Sequence, residues 1–210
     1  MDKYFGIIGS GGFGRETLAN LAQTYKLSGS ELKLKCKFIV DDEYFNSKEV
    51  SGIEVIRMSQ IHLTDFKLFV SIGDPAIRKK IVKRLGVEAI YGSVIHYTSI
   101  VPESLNFGEG LIIAPGCILT CDLSIGKHVQ LNLQTTVGHD TTIGDWVTTA
   151  PGVRISGNCN IGEEVYLGTN VSIRDGITIC SKAIIGMGAV VVKNILEPGV
   201  YVGNPAVRIK

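Results

Sequence analysis

A period of six residues governs the second half of the chain. From Ile95 to Val191 every sixth residue is apolar, starting Ile95, Val101, Phe107, Ile113 and ending Ile179, Ile185, Val191; only Thr149 breaks the series. The next residue is usually small, as at Ala114, Gly126, Gly138, Gly162 and Gly186. An α-helix repeats every 3.6 residues and a half-buried strand every two, so neither fits. A fixed short period is the mark of a solenoid. Six residues suit one side of a three-sided prism of parallel β-coils: the aliphatic residue points inward, and the small residue lets the backbone turn the corner. Successive coils then hydrogen-bond at the ordinary strand spacing of about 4.8 Å. The register runs through seventeen hexads without an inserted loop.

The residues before the repeat follow another rule. Residues 3–8 form a short apolar run, read as a strand, and Gly9-Ser10-Gly11-Gly12-Phe13-Gly14 comes directly after it. Arg15 to Tyr25 then reads as a helix with Leu18, Leu21 and Ala22 on one face. Glycines between a strand and a helix allow a phosphate to approach the helix N-terminus; the alternative is a tight structural turn. Leu27 to Lys35 is polar and reads as a loop, leading to a second strand, Cys36 to Val40, that ends at Asp41-Asp42. Acidic residues at that strand tip either reach a ribose or base, or cap a turn. Ile53 to Ile56 reads as a small edge strand, Lys67 to Ile72 as a third main strand, and Val87 to Tyr91 as one more. Gly73-Asp74-Pro75 opens a helix running Ala76 to Leu85, with Asp74 as its cap or as a second ligand contact. The chain therefore divides into 1–92, a small Rossmann-like α/β unit, and 93–210, the β-coil prism closed by a non-repeating tail. The first unit has room for one mononucleotide half of a Rossmann fold, which argues against NAD and for a nucleotide carrying something else, such as a sugar.

Composition narrows the function. Lys plus Arg number 21 against 20 Asp plus Glu, so no charge excess favours nucleic acid or an anionic membrane. No apolar run approaches the ~20 residues of a membrane span, and the opening residues lack the form of a signal peptide. The five cysteines are not spaced as paired metal ligands and read as reduced filler in a cytoplasmic protein.

Of the four histidines, His62 lies in a polar stretch, His96 beside Ile95, and His128 at the end of a hexad. His139 differs. It follows Val137-Gly138, just past a corner, so its ring projects outward while Val137 fills the interior. Asp140 comes next and can accept one imidazole N–H, leaving the other nitrogen basic, as a general base requires. The plainer alternative is a surface histidine at a turn. A catalytic zinc wants three protein ligands, and Gly144 stands where a second prism histidine would belong, so no metal is expected.

Taken together, GSGGFG, Asp41-Asp42, GDPAIRKK, the hexad repeat, GHDTTIGDW and the closing GNPA resemble one family over essentially the whole chain. It is the hexapeptide-repeat acetyl-CoA-dependent sugar acyltransferases, including the bacillosamine-pathway nucleotide-sugar N-acetyltransferases and sialic acid O-acetyltransferase-like proteins. The resemblance implies a left-handed parallel β-helix, a homotrimer with acetyl-CoA held between neighbours, and an α/β domain binding a nucleotide-linked amino-dideoxysugar. It implies His139 as the base that takes the proton from the attacking amine, Asp140 as its orienting partner and Asn132 as an active-site companion. Ser10, Gly11 and Gly12 would meet the nucleotide phosphates, Asp41 and Asp42 its base or ribose, with Gly73 and Asp74 alongside. Gly157, Thr169, Met187 and Lys193 would meet coenzyme A. Two positions depart from the family pattern: Thr148 stands where related chains often carry a histidine, and Phe13 where many have one inside the glycine motif. An O-acetyltransferase acting on a sugar hydroxyl, and a non-catalytic nucleotide-binding scaffold, are the competing readings.

Overall fold

A computed structural model describes residues 4–210. The expected strand 3–8 is seen as β1 (Tyr4–Ile8), Lys3 lying outside the described residues. It is followed by α1 (Gly12–Thr24), α2 (Gly29–Lys35), β2 (Cys36–Val40), β3 (Glu49–Val50), β4 (Ile53–Arg57), β5 (Phe66–Val70) and α3 (Pro75–Leu85). The sheet order is β3-β4-β2-β1-β5, parallel except for β3. Apolar side chains of α1 and α3 close opposite faces of this sheet, with Leu18 and Leu21 on one side and Ile81 on the other.

Three local expectations change. Leu27 to Lys35 is not a loop. Ser28 accepts a hydrogen bond from the Glu31 amide while the Glu31 carboxylate accepts one from the Ser28 amide, and this capping box starts α2. None of the helix's residues is buried, so no apolar stripe announced it. β4 is not an edge strand, since β3 pairs outside it. Val87 to Tyr91 forms no strand, only a bridge from Tyr91 to Leu68.

From Val94 onward the chain winds as a left-handed parallel β-helix. Two-residue strands pair at intervals of eighteen, as in Gln130 with Ile112 and Thr148, so three hexads make one coil. The first face stacks Val94–Ile95, Ile112–Ile113, Gln130–Leu131, Thr148–Thr149, Tyr166–Leu167 and Ile184–Ile185. The second runs from Ile118–Leu119 through Thr136–Val137 to Val190–Val191, and the third from Asn106–Phe107 through Thr142–Ile143 to Thr178–Ile179. From Ile113 to Val191 the inward column is buried, whereas at the open first coil Ile95 and Val101 are half-buried and Phe107 is exposed. Thr149, the one polar member, is 0 % exposed, and its Oγ1 lies 2.8 Å from Thr135 Oγ1 and accepts from the Asn132 amide. Its hydroxyl is thus satisfied inside the prism.

The small residues serve a different purpose from the expected one. The left-handed backbone that turns each corner falls two residues later, at six-residue intervals from Gly110 to Gly188. The residue just after each inward aliphatic is small because the next coil lies against it: a Cβ on Gly138 would stand 2.5 Å from the Gly157 nitrogen. Bulky residues at two left-handed corners, His128 and Trp146, stack with ring centroids 4.6 Å apart and an interplanar angle of 7°. Tyr91 meets His128 edge-on at 4.6 Å.

The α/β unit docks on the first face. Val94 and Ile112 join the apolar cluster of α1, His96 Nε2 lies 2.8 Å from Gln23 Oε1, and Lys79 pairs with Glu164. Burial pushes the His128 imidazole at this seam down to about 4, with Arg78 and Lys127 acting in the same direction and Glu109 and Asp145 opposing. Its folded value lies below the ordinary 6.5, so between pH 6.5 and about 4 the unfolded chain binds the extra proton. Stability due to this group is full above pH 6.5 and is lost as the pH falls towards 4. Melting curves at pH 7, 6 and 5 should fall more steeply for the parent than for His128→Asn. The difference should be several degrees, given ~2–4 °C per kcal/mol in a chain of this size. Parallel profiles would exclude His128 as the titrating group.

Candidate active site

The glycine turn after β1 is built for close approach. Gly9 has φ +99°, and a Cβ on Gly14 would collide with the Gly9 carbonyl, so α1 passes directly over the strand end. Gly11 and Gly12 have nothing within 4 Å of a notional Cβ. Gly11 is the N-cap, no side chain caps α1, and its first turn carries no acid, which leaves free N–H groups and a favourable dipole for an anion. Ser10, Gly11 and Asp41 line one cleft of about 520 Å³ together with Lys80 and Arg84. These two cations were not singled out in the sequence, although their spacing of four in GDPAIRKKIVKR puts them on one face of α3.

The acidic pair divides. Asp41 faces the cleft and is paired with Arg84, whereas Asp42 accepts from the Ser59 hydroxyl at 2.7 Å, which holds its carboxyl below the usual range. Asp74 caps α3 by accepting from the Ile77 amide at 2.8 Å. Gly12 and Gly73 border a second crevice, between the α/β unit and the prism, with Phe13, Asn132, Thr148 and Thr169 on its walls. Thr148 is 5 % exposed; its hydroxyl donates to the Gly73 carbonyl at 2.8 Å and accepts from Arg78. It is therefore part of the seam between the two units.

His139 projects from the corner between the second and third faces. Its Nδ1 lies 2.7 Å from Asp140 Oδ2, and both side chains are 55 % exposed. A carboxylate only accepts, so Nδ1 carries the proton and Nε2 keeps its lone pair. Asp140 has φ +56°, the left-handed corner conformation an aspartate tolerates, and this turns its carboxylate back to the ring. Gly157 sits in the next coil against the imidazole: an added Cβ would stand 2.7 Å from Cε1 and 2.8 Å from Nε2. Gly157→Ala should therefore tilt the ring and cut turnover about tenfold without lowering the melting temperature by more than a few degrees. Unchanged turnover would show that the ring has room to move.

The remaining site residues fall on two edges of the prism. His139, Asp140, Gly157 and the exposed Lys193 follow strands of the second face. Asn132, Thr169 and Met187 follow strands of the first face, and Met187 is 76 % exposed. The whole second face lies between the two groups, so one protomer does not bring His139 and Asn132 together. Among the described residues no group of three His, Cys, Asp or Glu side chains is placed to hold a metal.

A hexad β-helix bearing a His–Asp pair at one corner, joined to a Rossmann-like unit with an uncapped glycine turn, defines a hexapeptide-repeat acyltransferase. Residues 5–85 match the PglD N-terminal domain family. Over 191 residues the chain is 34 % identical to the GDP-perosamine N-acetyltransferase of Escherichia coli O157:H7, spanning 88 % of this chain and 83 % of that protein. WeeI from Acinetobacter baumannii AYE superposes with a TM-score of 0.90 at 30 % identity, over 99 % of this chain and 100 % of that one. The acetyltransferase domain of PglB from Neisseria gonorrhoeae FA1090, solved with acetyl coenzyme A, superposes with a TM-score of 0.87 at 27 % identity over the full length of both. The chain belongs to the PglD-type family of nucleotide-sugar N-acetyltransferases.

Proposed function

We propose that the protein transfers the acetyl group of acetyl-CoA to the amine of a nucleotide-linked amino-dideoxysugar, with residues 1–92 binding the nucleotide sugar and 93–210 carrying out the transfer. The observation that carries this reading is the pairing of an open, uncapped phosphate cradle with an exposed His–Asp pair on one docked body. Ser10, Gly11 and Gly12 offer backbone N–H groups to the diphosphate, and Lys80 and Arg84 offer charge. Asp41 is at hand for the ribose or base. The sugar then lies in the crevice bordered by Phe13, Gly73 and Asn132.

The chemistry needs no enzyme nucleophile. The amine nitrogen attacks the thioester carbonyl carbon, His139 Nε2 takes the amine proton, and the carbon–sulfur bond breaks; the imidazolium returns that proton to the departing sulfur, so coenzyme A leaves as the thiol and the base is restored. Asp140 holds the tautomer that leaves Nε2 basic and stabilises the imidazolium that forms. Positioning of the two substrates supplies much of the remaining acceleration.

The two edges of the site meet when copies of the chain associate about a threefold axis, the first edge of one against the second edge of its neighbour, with acetyl-CoA between Gly157, Lys193, Thr169 and Met187. We assign the protein to the cytoplasm and to glycan or surface-polysaccharide assembly. Cys36, Cys117 and Cys159 are buried thiols used as apolar filler, in keeping with a reducing compartment.

Thermal-shift measurements with acetyl-CoA and with GDP-, UDP-, dTDP- and CMP-linked amino sugars test the reading, because a ligand that binds only the folded state raises the melting temperature. Stabilisation by acetyl-CoA and one nucleotide class, followed by acetyl transfer to that sugar, is expected. Stabilisation by acetyl-CoA alone would move the acceptor to a free sugar; no response to either would leave a scaffold.

A further inference from the structure

Arg78 is the largest fully buried side chain among the described residues, and it lies outside both the phosphate cradle and the His139–Asp140 pair. It leaves α3 on the side away from Lys80 and Arg84 and enters the prism's first face. Its Nε donates to the His128 carbonyl at 3.0 Å. Its Nη1 donates to the Ile72 carbonyl at 2.7 Å, to Gln130 Oε1 at 2.9 Å and to Thr148 Oγ1 at 2.9 Å. Its Nη2 donates to the Trp146 carbonyl at 2.5 Å and more weakly to that of Val147. Two partners reach back: Thr148 Oγ1 donates to the Gly73 carbonyl at 2.8 Å, and Gln130 Nε2 to the Val70 carbonyl at 2.7 Å. One guanidinium therefore ties the turn after β5 to two successive coils.

Every acceptor in this set is neutral. Burial lowers the guanidinium to about 9, opposed by the Asp74 carboxylate, which is itself engaged at the cap of α3. A buried cation without a bonded carboxylate is a costly way to seal a seam that apolar side chains could fill. What it adds is direction, because the planar fork accepts only one arrangement of its partners. The segment it fixes matters for transfer. Gly73 lies in the turn that follows β5, at the sheet end where a parallel sheet presents its ligand, and it shares the crevice with Gln130, Asn132 and Thr148.

We propose that Arg78 is a positioning residue for acetyl transfer: its guanidinium holds the Ile72–Gly73 turn in register with the coils of Gln130 and Thr148, so that the sugar carried by the α/β unit is presented to the acetyl donor at a fixed height. The inference rests on the functional reading above. The lysine variant keeps the charge but cannot span both coils, since its compact head lacks the fork.

The test compares Arg78→Lys and Arg78→Met with the parent at a temperature well below each melting point. It measures kcat, KM for acetyl-CoA and the dissociation constant for the nucleotide sugar. Misplacement of about 1 Å can cost ~10²-fold in rate. We expect kcat to fall about 10²-fold in Arg78→Met and at least about tenfold in Arg78→Lys, with nucleotide-sugar affinity and KM for acetyl-CoA within about twofold of the parent. If Arg78→Met fails to fold, Gln130→Leu, which removes one acceptor from the fork, takes its place with an expected loss of about fivefold in kcat alone. A lower melting temperature with the parent's kcat in Arg78→Lys would reduce Arg78 to a structural plug. A parent that acetylates no nucleotide-linked amino sugar would sink the functional reading and the positioning role with it; a parent that does so, matched by its variants, sinks the positioning role alone.

Discussion

Replacing His139 with asparagine lowers turnover by about 10²–10⁴-fold, the usual contribution of a positioned general base, and leaves nucleotide binding intact. Asparagine matches the imidazole in size and polarity near the backbone, so the corner built by Gly138 and Asp140 should keep its form. What is lost is the lone pair on Nε2, the atom left free when Nδ1 is held 2.7 Å from Asp140. Without it the attacking amine must lose its proton to solvent. The glycine cradle lies in the other unit, between β1 and α1, so affinity for the nucleotide sugar should stay within about twofold. Steady-state kinetics alongside calorimetric titration separate the two effects. Retention of full kcat would falsify the role of His139, and an equal loss of nucleotide affinity would show that the variant had disturbed more than the base.

The chain reveals some of these features in its sequence and hides others. The prism was legible, because its rule is local: an inward aliphatic every six residues needs no knowledge of partners. Even Thr149 was visible as an exception, but its reason was not, since the hydroxyl that satisfies it belongs to Thr135, across the coil interior. His139 and Asp140 were legible together because they are neighbours in sequence and the corner register fixes their outward direction. The failures have two causes. α2 carries no apolar stripe, and only the Ser28–Glu31 capping box marked it. Asp41 and Asp42 look alike in sequence, yet Arg84 claims one and Ser59 the other. Arg78 reads as one of several basic residues on a helix, while its acceptors lie 50 to 70 residues away on the prism. Local chemistry could be read from the chain; pairings between residues distant in sequence required the fold.

The proposed site, divided between two edges of the prism, leads to the second large effect. Two inactive variants should give an active assembly when they are folded together. His139→Asn disables the edge between the second and third faces. Thr169→Trp fills the crevice at the edge between the first and second faces, where Thr169 stands beside Asn132 and Ala150. Each alone should lose at least about 10²-fold in rate, the first through the missing base and the second through displaced substrates. If every site joins the first edge of one protomer to the second edge of the next, co-folding equal amounts gives intact pairs at random. About a quarter of the sites in such a closed ring then combine two undamaged edges. Activity should rise from about one per cent to about a quarter of the parent's, a gain of more than tenfold. Mixing the folded variants without exchange of subunits should restore nothing, which controls for contamination. If each protomer instead housed a whole site, every chain in the mixture would still carry one lesion, and no ratio of the two would recover activity. The same preparation shows its stoichiometry by light scattering: a trimer is expected, and a monomer with full parental activity would rule out a shared site.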